Sequence, residues 1–153
     1  MWEKSSKEDP SYNCIGWALE IKKYIWPSLD YYWPRPKPPI VTAQEFIEVF
    51  RDHYDFVQCS TSLYEEGYDK IALFLEGDTP EHASAMRRED GRWVSKLGVL
   101  IDTTHDGLDT TLDFPMELPY GPCTGYGTAK LFFKRRRRMR IVKFASQLRR
   151  FQI

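Results

Sequence analysis

Cys14 is the residue in this chain best placed to act as a nucleophile. It follows Asn13, a strong N-cap residue, so its sulfur falls in the first turn of an expected helix. Backbone N–H groups and the helix dipole there favour a thiolate, and the same N–H groups suit an oxyanion. The competing reading is a small buried core cysteine. Cys59 and Cys123 have no comparable setting and read as structural.

A thiolate needs a base, and the chain has three histidines. His82 opens an expected strand directly after Asp78-Thr79-Pro80-Glu81, which would hold an imidazole rigidly at a sheet's end. His53 falls near the end of an expected helix, where a cation suits the dipole. His105 falls in Asp-Thr-Thr-His-Asp, read as a loop before a short helix; surface residue and site residue are both open to it. Asp90-Gly91 is a tight-hairpin signal. Pairing Glu89 with Arg92 sets Met86 opposite Ser95 and puts Ser95 on the face of His82. Ser95 is then a candidate orienter of the imidazole, against the alternative of an ordinary strand serine. Lys96 turns to the other face.

The cysteines are odd in number and far apart, with no Cys-x-x-Cys pair and no zinc spacing. No metal, cofactor or disulfide framework is expected, and a reducing compartment is the default.

These residues need elements to hold them. Residues 1–11 read as a polar lead-in, and a first helix is expected from Cys14 to about Ile25, stopped by Pro27. Residues 26–39 are a proline and aromatic loop. Thr42 and Glu45 form a capping box opening a second helix to about Tyr54, with Phe46, Ile47, Val49 and Phe50 buried. Strands are expected at 55–59, 70–76, 82–89, 92–97 and 129–133, and a short helix at 106–112. The 70–76 strand should be central. Helices first and a mostly antiparallel sheet after make an α+β fold, a single domain over 12–134 followed by a basic tail over 135–153.

With 153 residues, 42% hydrophobic and 29% charged, the chain suits one globular domain and excludes a fully disordered or collagen-like protein. No apolar run approaches a bilayer crossing, so no transmembrane segment is expected. The N-terminus lacks the apolar stretch of a signal peptide. The expected location is the cytoplasm, or outside it by a signal-peptide-independent secretion system. The aromatic fraction, 15%, points to a ring-rich core or an aromatic-lined groove, with Trp17, Trp26, Tyr31, Tyr32 and Trp33 the candidates.

Taken in order, Tyr12-Asn13-Cys14-Ile15-Gly16-Trp17-Ala18-Leu19, Glu66-Gly67-Tyr68-Asp69-Lys70-Ile71-Ala72-Leu73, His82-Ala83, Gly91-Arg92-Trp93-Val94-Ser95-Lys96-Leu97-Gly98 and His105 form a recognisable pattern. It resembles papain-like, NlpC-type cysteine hydrolases, and more closely an uncharacterised bacterial domain family of unknown function related to them. The resemblance spans roughly residues 11–112. It implies a papain-like fold, a Cys14 nucleophile, a His82 base and Ser95 at the third site, where NlpC-type enzymes usually carry His or Asn. His105 and Lys96 are the substitutes for that site. Asn13, Trp17, Trp33 and Lys96 complete the expected substrate-binding set.

The chemistry implied is thiol-protease or amidase chemistry through an acyl-enzyme, on a peptide or another amide-containing substrate. A toxin or effector role fits delivery without a signal peptide. The alternative is an inactive papain-like binding protein that uses its aromatic loop and basic tail.

The formal net charge of zero hides a segregation. Residues 1–128 carry 12 Lys and Arg against 22 Asp and Glu, while residues 129–153 carry ten bases and no acid. The run Arg135, Arg136, Arg137, Arg138 is therefore a candidate for an anionic partner, or for docking on the acidic domain itself.

Overall fold

The computed structural model describes residues 3–4, 11–28, 30–86, 88–96, 102–105, 117–118, 121–122 and 129–137. Its elements run β1 (Glu3–Lys4), α1 (Cys14–Ala18), α2 (Ala43–Tyr54), β2 (Val57–Cys59), β3 (Tyr68–Glu76), β4 (Thr79–Met86), β5 (Trp93–Lys96), β6 (Asp102–His105), β7 (Glu117–Leu118), β8 (Gly121–Pro122) and β9 (Ala129–Arg136). Seven strands form one sheet in the order β1-β6-β5-β4-β3-β9-β2, with β7 and β8 paired separately. Every pairing in the large sheet is antiparallel. Among the described residues the architecture is α+β, with two helices and a mostly antiparallel sheet. Among the described residues no helix is long and apolar enough to cross a membrane.

Helix α2 forms where its caps and spacing require. Thr42 Oγ1 accepts from the Glu45 amide, and Asp55 ends the helix in a left-handed conformation (φ 62°). Ala43, Phe46, Val49 and Phe50 make the buried stripe, while Ile47 is half-buried. Phe46, Phe50 and Phe133 then pack edge to face in sequence, with centroids 6.0 and 5.0 Å apart. Truncating a buried ring such as Phe50 to alanine costs about 3–5 kcal/mol.

Strand β3 is interior, between β4 and β9, as its apolar run requires. Ile71, Leu73 and Leu75 join the cluster beneath the helices, while Ala72 and Phe74 join Trp93 in a second buried cluster. Alternate residues of a strand face opposite sides, so the two clusters lie on the two faces of the sheet. Between Phe74 and Leu75 the register with β4 shifts: Phe74 faces His82, Leu75 faces Pro80, and Glu81 is the extra residue of a bulge.

Four local expectations are corrected. Helix α1 spans five residues instead of running to Ile25. The chain turns back at Glu20, which has φ 62°, and Lys23 crosses over Gly16 so closely that a Cβ there would lie 2.1 Å from the Lys23 carbonyl oxygen.

The β4–β5 hairpin is also slipped by two residues, with Met86 opposite Trp93 and Ser84 opposite Ser95. A two-residue turn is replaced by a wider loop. Within it Arg88 makes a bidentate bond to Asp69 at the start of β3 (both 2.7 Å), and the Asp90 side chain accepts from the Arg92 amide. A slip of two keeps every residue on its face.

His105 lies in strand β6, opposite Trp93, instead of in a loop. The helix expected at 106–112 lies outside the described residues. Finally, the last strand runs on to Arg136, between β3 and β2, so the start of the basic run is part of the sheet.

Candidate active site

Asn13 organises the ground around Cys14. Its side-chain oxygen accepts from the Gly16 amide (3.0 Å) and from the Ile25 amide (3.2 Å), while its Nδ2 donates to the Ile25 carbonyl (2.7 Å). One amide group thus caps α1 and ties the returning chain to it. Asn13 was expected to bind substrate, but its amide is committed to the backbone, and the residue is 3% exposed. The Gly16 amide, being capped, does not serve an oxyanion.

The segment held by Asn13 carries aromatic rings. Ile25 bridges Tyr32, the Trp26 amide donates to the Tyr32 carbonyl, and the Tyr32 amide donates to the Tyr24 carbonyl. Tyr24 and Tyr31 stack at 4.2 Å. Burial pushes the Tyr24 hydroxyl pKa up, and the neighbouring Tyr31 and Cys14 add to the shift.

A pocket of about 310 Å³ opens between this segment and the start of β4, lined by Asn13, Cys14, Tyr24, Trp26, Tyr31, Glu81 and His82. Cys14 and His82 are both buried, at 7% and 1% exposure. They enter from different directions. Cys14 belongs to the helix-side cluster. The His82 ring packs on that of Phe74, its cross-strand partner, with centroids 5.4 Å apart, and Phe74 belongs to the far-side cluster. The pocket reaches both of them beside the bulge in β4.

The other expected site residues are placed as follows. Ser95 lies opposite both Ser84 and Thr103, and Lys96 opposite Asp102. Because Ser84 is two residues from His82, the observed register brings Ser95 two positions nearer to His82 than the tight hairpin would. Trp33 is a core residue: its ring lies 5.1 Å from Phe46 and its indole N–H donates to Glu45. Trp17 is half-buried and packs against the main core, away from this pocket. Trp26 and Tyr31 line the pocket. Tyr24 and Glu81 line it as well, with no signal in the sequence that places them there. Glu81 adjoins His82 in sequence and stands at the bulge, where it lines the same pocket as Cys14.

The basic run meets the acidic domain at the opposite end of β3. Arg135 bonds Glu20 (3.2 Å) and the Tyr54 carbonyl (3.3 Å), with its guanidinium 4.3 Å over the Phe56 ring. Lys134 pairs with Glu65, and Arg137 lies 3.6 Å from Asp69. Arg136 is exposed. Arg138 lies outside the described residues.

Residues 3–134 match the model of a family described as Domain of unknown function (DUF7689). The chain belongs to that family. The match spans Cys14, His82, Ser95 and His105 and stops just before the arginine run. Two curated relatives, both called Protein TusC, come from Escherichia coli O157:H7 and from its strain EC4115 / EHEC. Each is 41% identical over 61 residues, which is 37% of this chain and 51% of the relative. The chain thus spans about half the length of the curated relatives it matches. No solved structure matches it.

Proposed function

We propose that this DUF7689 chain is a cysteine hydrolase or acyltransferase of papain-like, NlpC-type architecture, acting on an amide-type bond. The observation that supports this reading is the pocket that Cys14 and His82 share. The Cys14 thiolate attacks the amide carbonyl and forms a C–S bond, and the carbonyl electrons move onto oxygen, facing backbone N–H groups near Cys14. The tetrahedral intermediate collapses as His82 gives its proton to the departing amine. Water, or another nucleophile deprotonated by His82, then releases the acyl group and restores the thiol. The imidazole acts around the end of β4, since its ring packs beside Phe74. Ser95, diagonal to His82 across the hairpin, is the third residue on this reading.

A second reading, an inactive papain-like binding protein, draws on that same Phe74–His82 packing, which suits a structural histidine. Iodoacetamide labelling at neutral pH separates the two. The enzyme reading expects Cys14 to be modified faster than Cys59, with that advantage lost in His82→Ala. A Cys14 that reacts no faster than Cys59 overturns it.

A further inference from the structure

The two ends of β3 differ in charge. Around its start, Lys70, Arg88, Lys134 and Arg135 are each matched by Glu65, Asp69 or Glu20. Around its other end, Glu76, Asp78 and Glu81 are exposed, and the sequence has no Lys or Arg from Ile71 through Met86. Lys130 is at this end too, but it is held over Phe74 (5.5 Å), in the far-side layer. The Cys14 pocket opens at this acidic end, with Glu81 in its wall.

Three further residues that line that pocket, Tyr24, Trp26 and Tyr31, are aromatic. Tyr24 and Tyr31 stack there, with Trp26 beside them. Rings attract cations through their negative faces, and a carboxylate lining the same pocket reinforces the attraction. The same loop already holds one ammonium group in this way: Lys23 Nζ sits 3.9 Å over the Tyr32 ring, next in sequence to the stacked pair.

We infer that the pocket selects acyl substrates bearing an ammonium group close to the scissile carbonyl. The ammonium lodges between Glu81 and the Tyr24–Tyr31–Trp26 wall, and the carbonyl faces Cys14. This rests on the cysteine acyl-transfer reading for the kind of substrate. The charge preference itself belongs to the pocket.

Charge-bearing methanethiosulfonates test it on the full chain. The thiolate forms an S–S bond with the reagent and methanesulfinate leaves, so the rate at each cysteine reports access of that charge. Peptide mapping at low salt gives the rate ratio of the trimethylammonium reagent to the sulfonate reagent at Cys14 and at Cys59. The ratio at Cys14 should exceed that at Cys59 on the order of tenfold. In Glu81→Gln the excess should shrink severalfold, and Tyr31→Leu should shrink it further. Equal ratios at the two cysteines in the unmodified chain, or an excess untouched by Glu81→Gln, overturn the inference. His82→Ala keeps the two ideas apart: the enzyme reading needs both reagents to slow together at Cys14. If they do not slow while the ratio persists, the ammonium site stands and the dyad fails.

Discussion

Asn13 and Ile25 are joined by two hydrogen bonds through a single side chain, Nδ2 donating to the Ile25 carbonyl and Oδ1 accepting from the Ile25 amide. Twelve positions apart in sequence, they close the loop that carries Tyr24 and Trp26 to the edge of the Cys14 pocket. Gly16 makes the closure sterically possible, because the returning chain lies where any larger residue would place its Cβ.

Replacing Asn13 with alanine removes a cap and leaves the Ile25 N–H and C=O buried without their partner. The expected loss is about 3 kcal/mol in urea unfolding. Asn13→Asp keeps the acceptor but sets a carboxylate oxygen against the Ile25 carbonyl, so it should recover only part of the loss. Full recovery by Asp would mean that the Nδ2–Ile25 bond contributes nothing.

Glu45 pins the proline-rich loop to α2. It accepts from the Trp33 indole (2.9 Å) and from Arg35 at two atoms (2.9 and 2.6 Å), with its side chain 12% exposed. The Arg35 bonds, chiefly, hold its carboxyl pKa below the ordinary 4.5. A depressed folded pKa means that folding favours the ionised form. Its contribution is therefore complete above pH 4.5 and is lost as pH falls through the lower folded value. Wild type should exceed Glu45→Gln by about 2 kcal/mol at neutral pH. Unfolding curves of the two, taken at falling pH, should converge below the ordinary carboxylate range. A constant gap would assign the effect of the substitution to packing.

Arg135 and Arg136 are neighbours in one strand with opposite surroundings. Arg135 is 9% exposed among Glu20, Asp69, Tyr54 and Phe56, while Arg136 is exposed. Arg135→Ala should cost about 2 kcal/mol through the lost bond to the Tyr54 carbonyl and the lost packing over Phe56, and Arg136→Ala no more than about 0.5 kcal/mol. Thermal melts of the two variants measure the difference; equal shifts would refute it. Arg135→Lys should rescue poorly, since an ammonium cannot bond Glu20 and the Tyr54 carbonyl in the same fork while lying over Phe56. Cutting the chain after Phe133 removes three residues from a strand between β3 and β2. An anionic partner of the arginine run is better tested with Arg136 substitutions.

Local chemistry was readable from the residues alone. Thr42, the apolar spacing of Phe46, Val49 and Phe50, and the end near Tyr54 define α2 through contacts within a few residues. The run Ile71-Ala72-Leu73-Phe74-Leu75 announces a strand buried on both faces. Asn13 before Cys14 sets the thiol in a first helical turn. The excess of bases after residue 128 is likewise plain in the sequence.

Long-range contacts decided the rest. The length of α1 depends on Asn13 reaching Ile25 and on Lys23 crossing Gly16. The hairpin register depends on Arg88 bonding Asp69, nineteen positions away, against the local Asp-Gly turn signal. The pocket that Cys14 and His82 share brings together residues 68 positions apart, and Arg135 docks on Glu20, 115 positions distant. Local propensity sets which element forms, because its energies come from neighbouring residues. Where an element stops, which register it takes and what its side chains meet are set by partners far along the chain, which only folding brings within bonding distance.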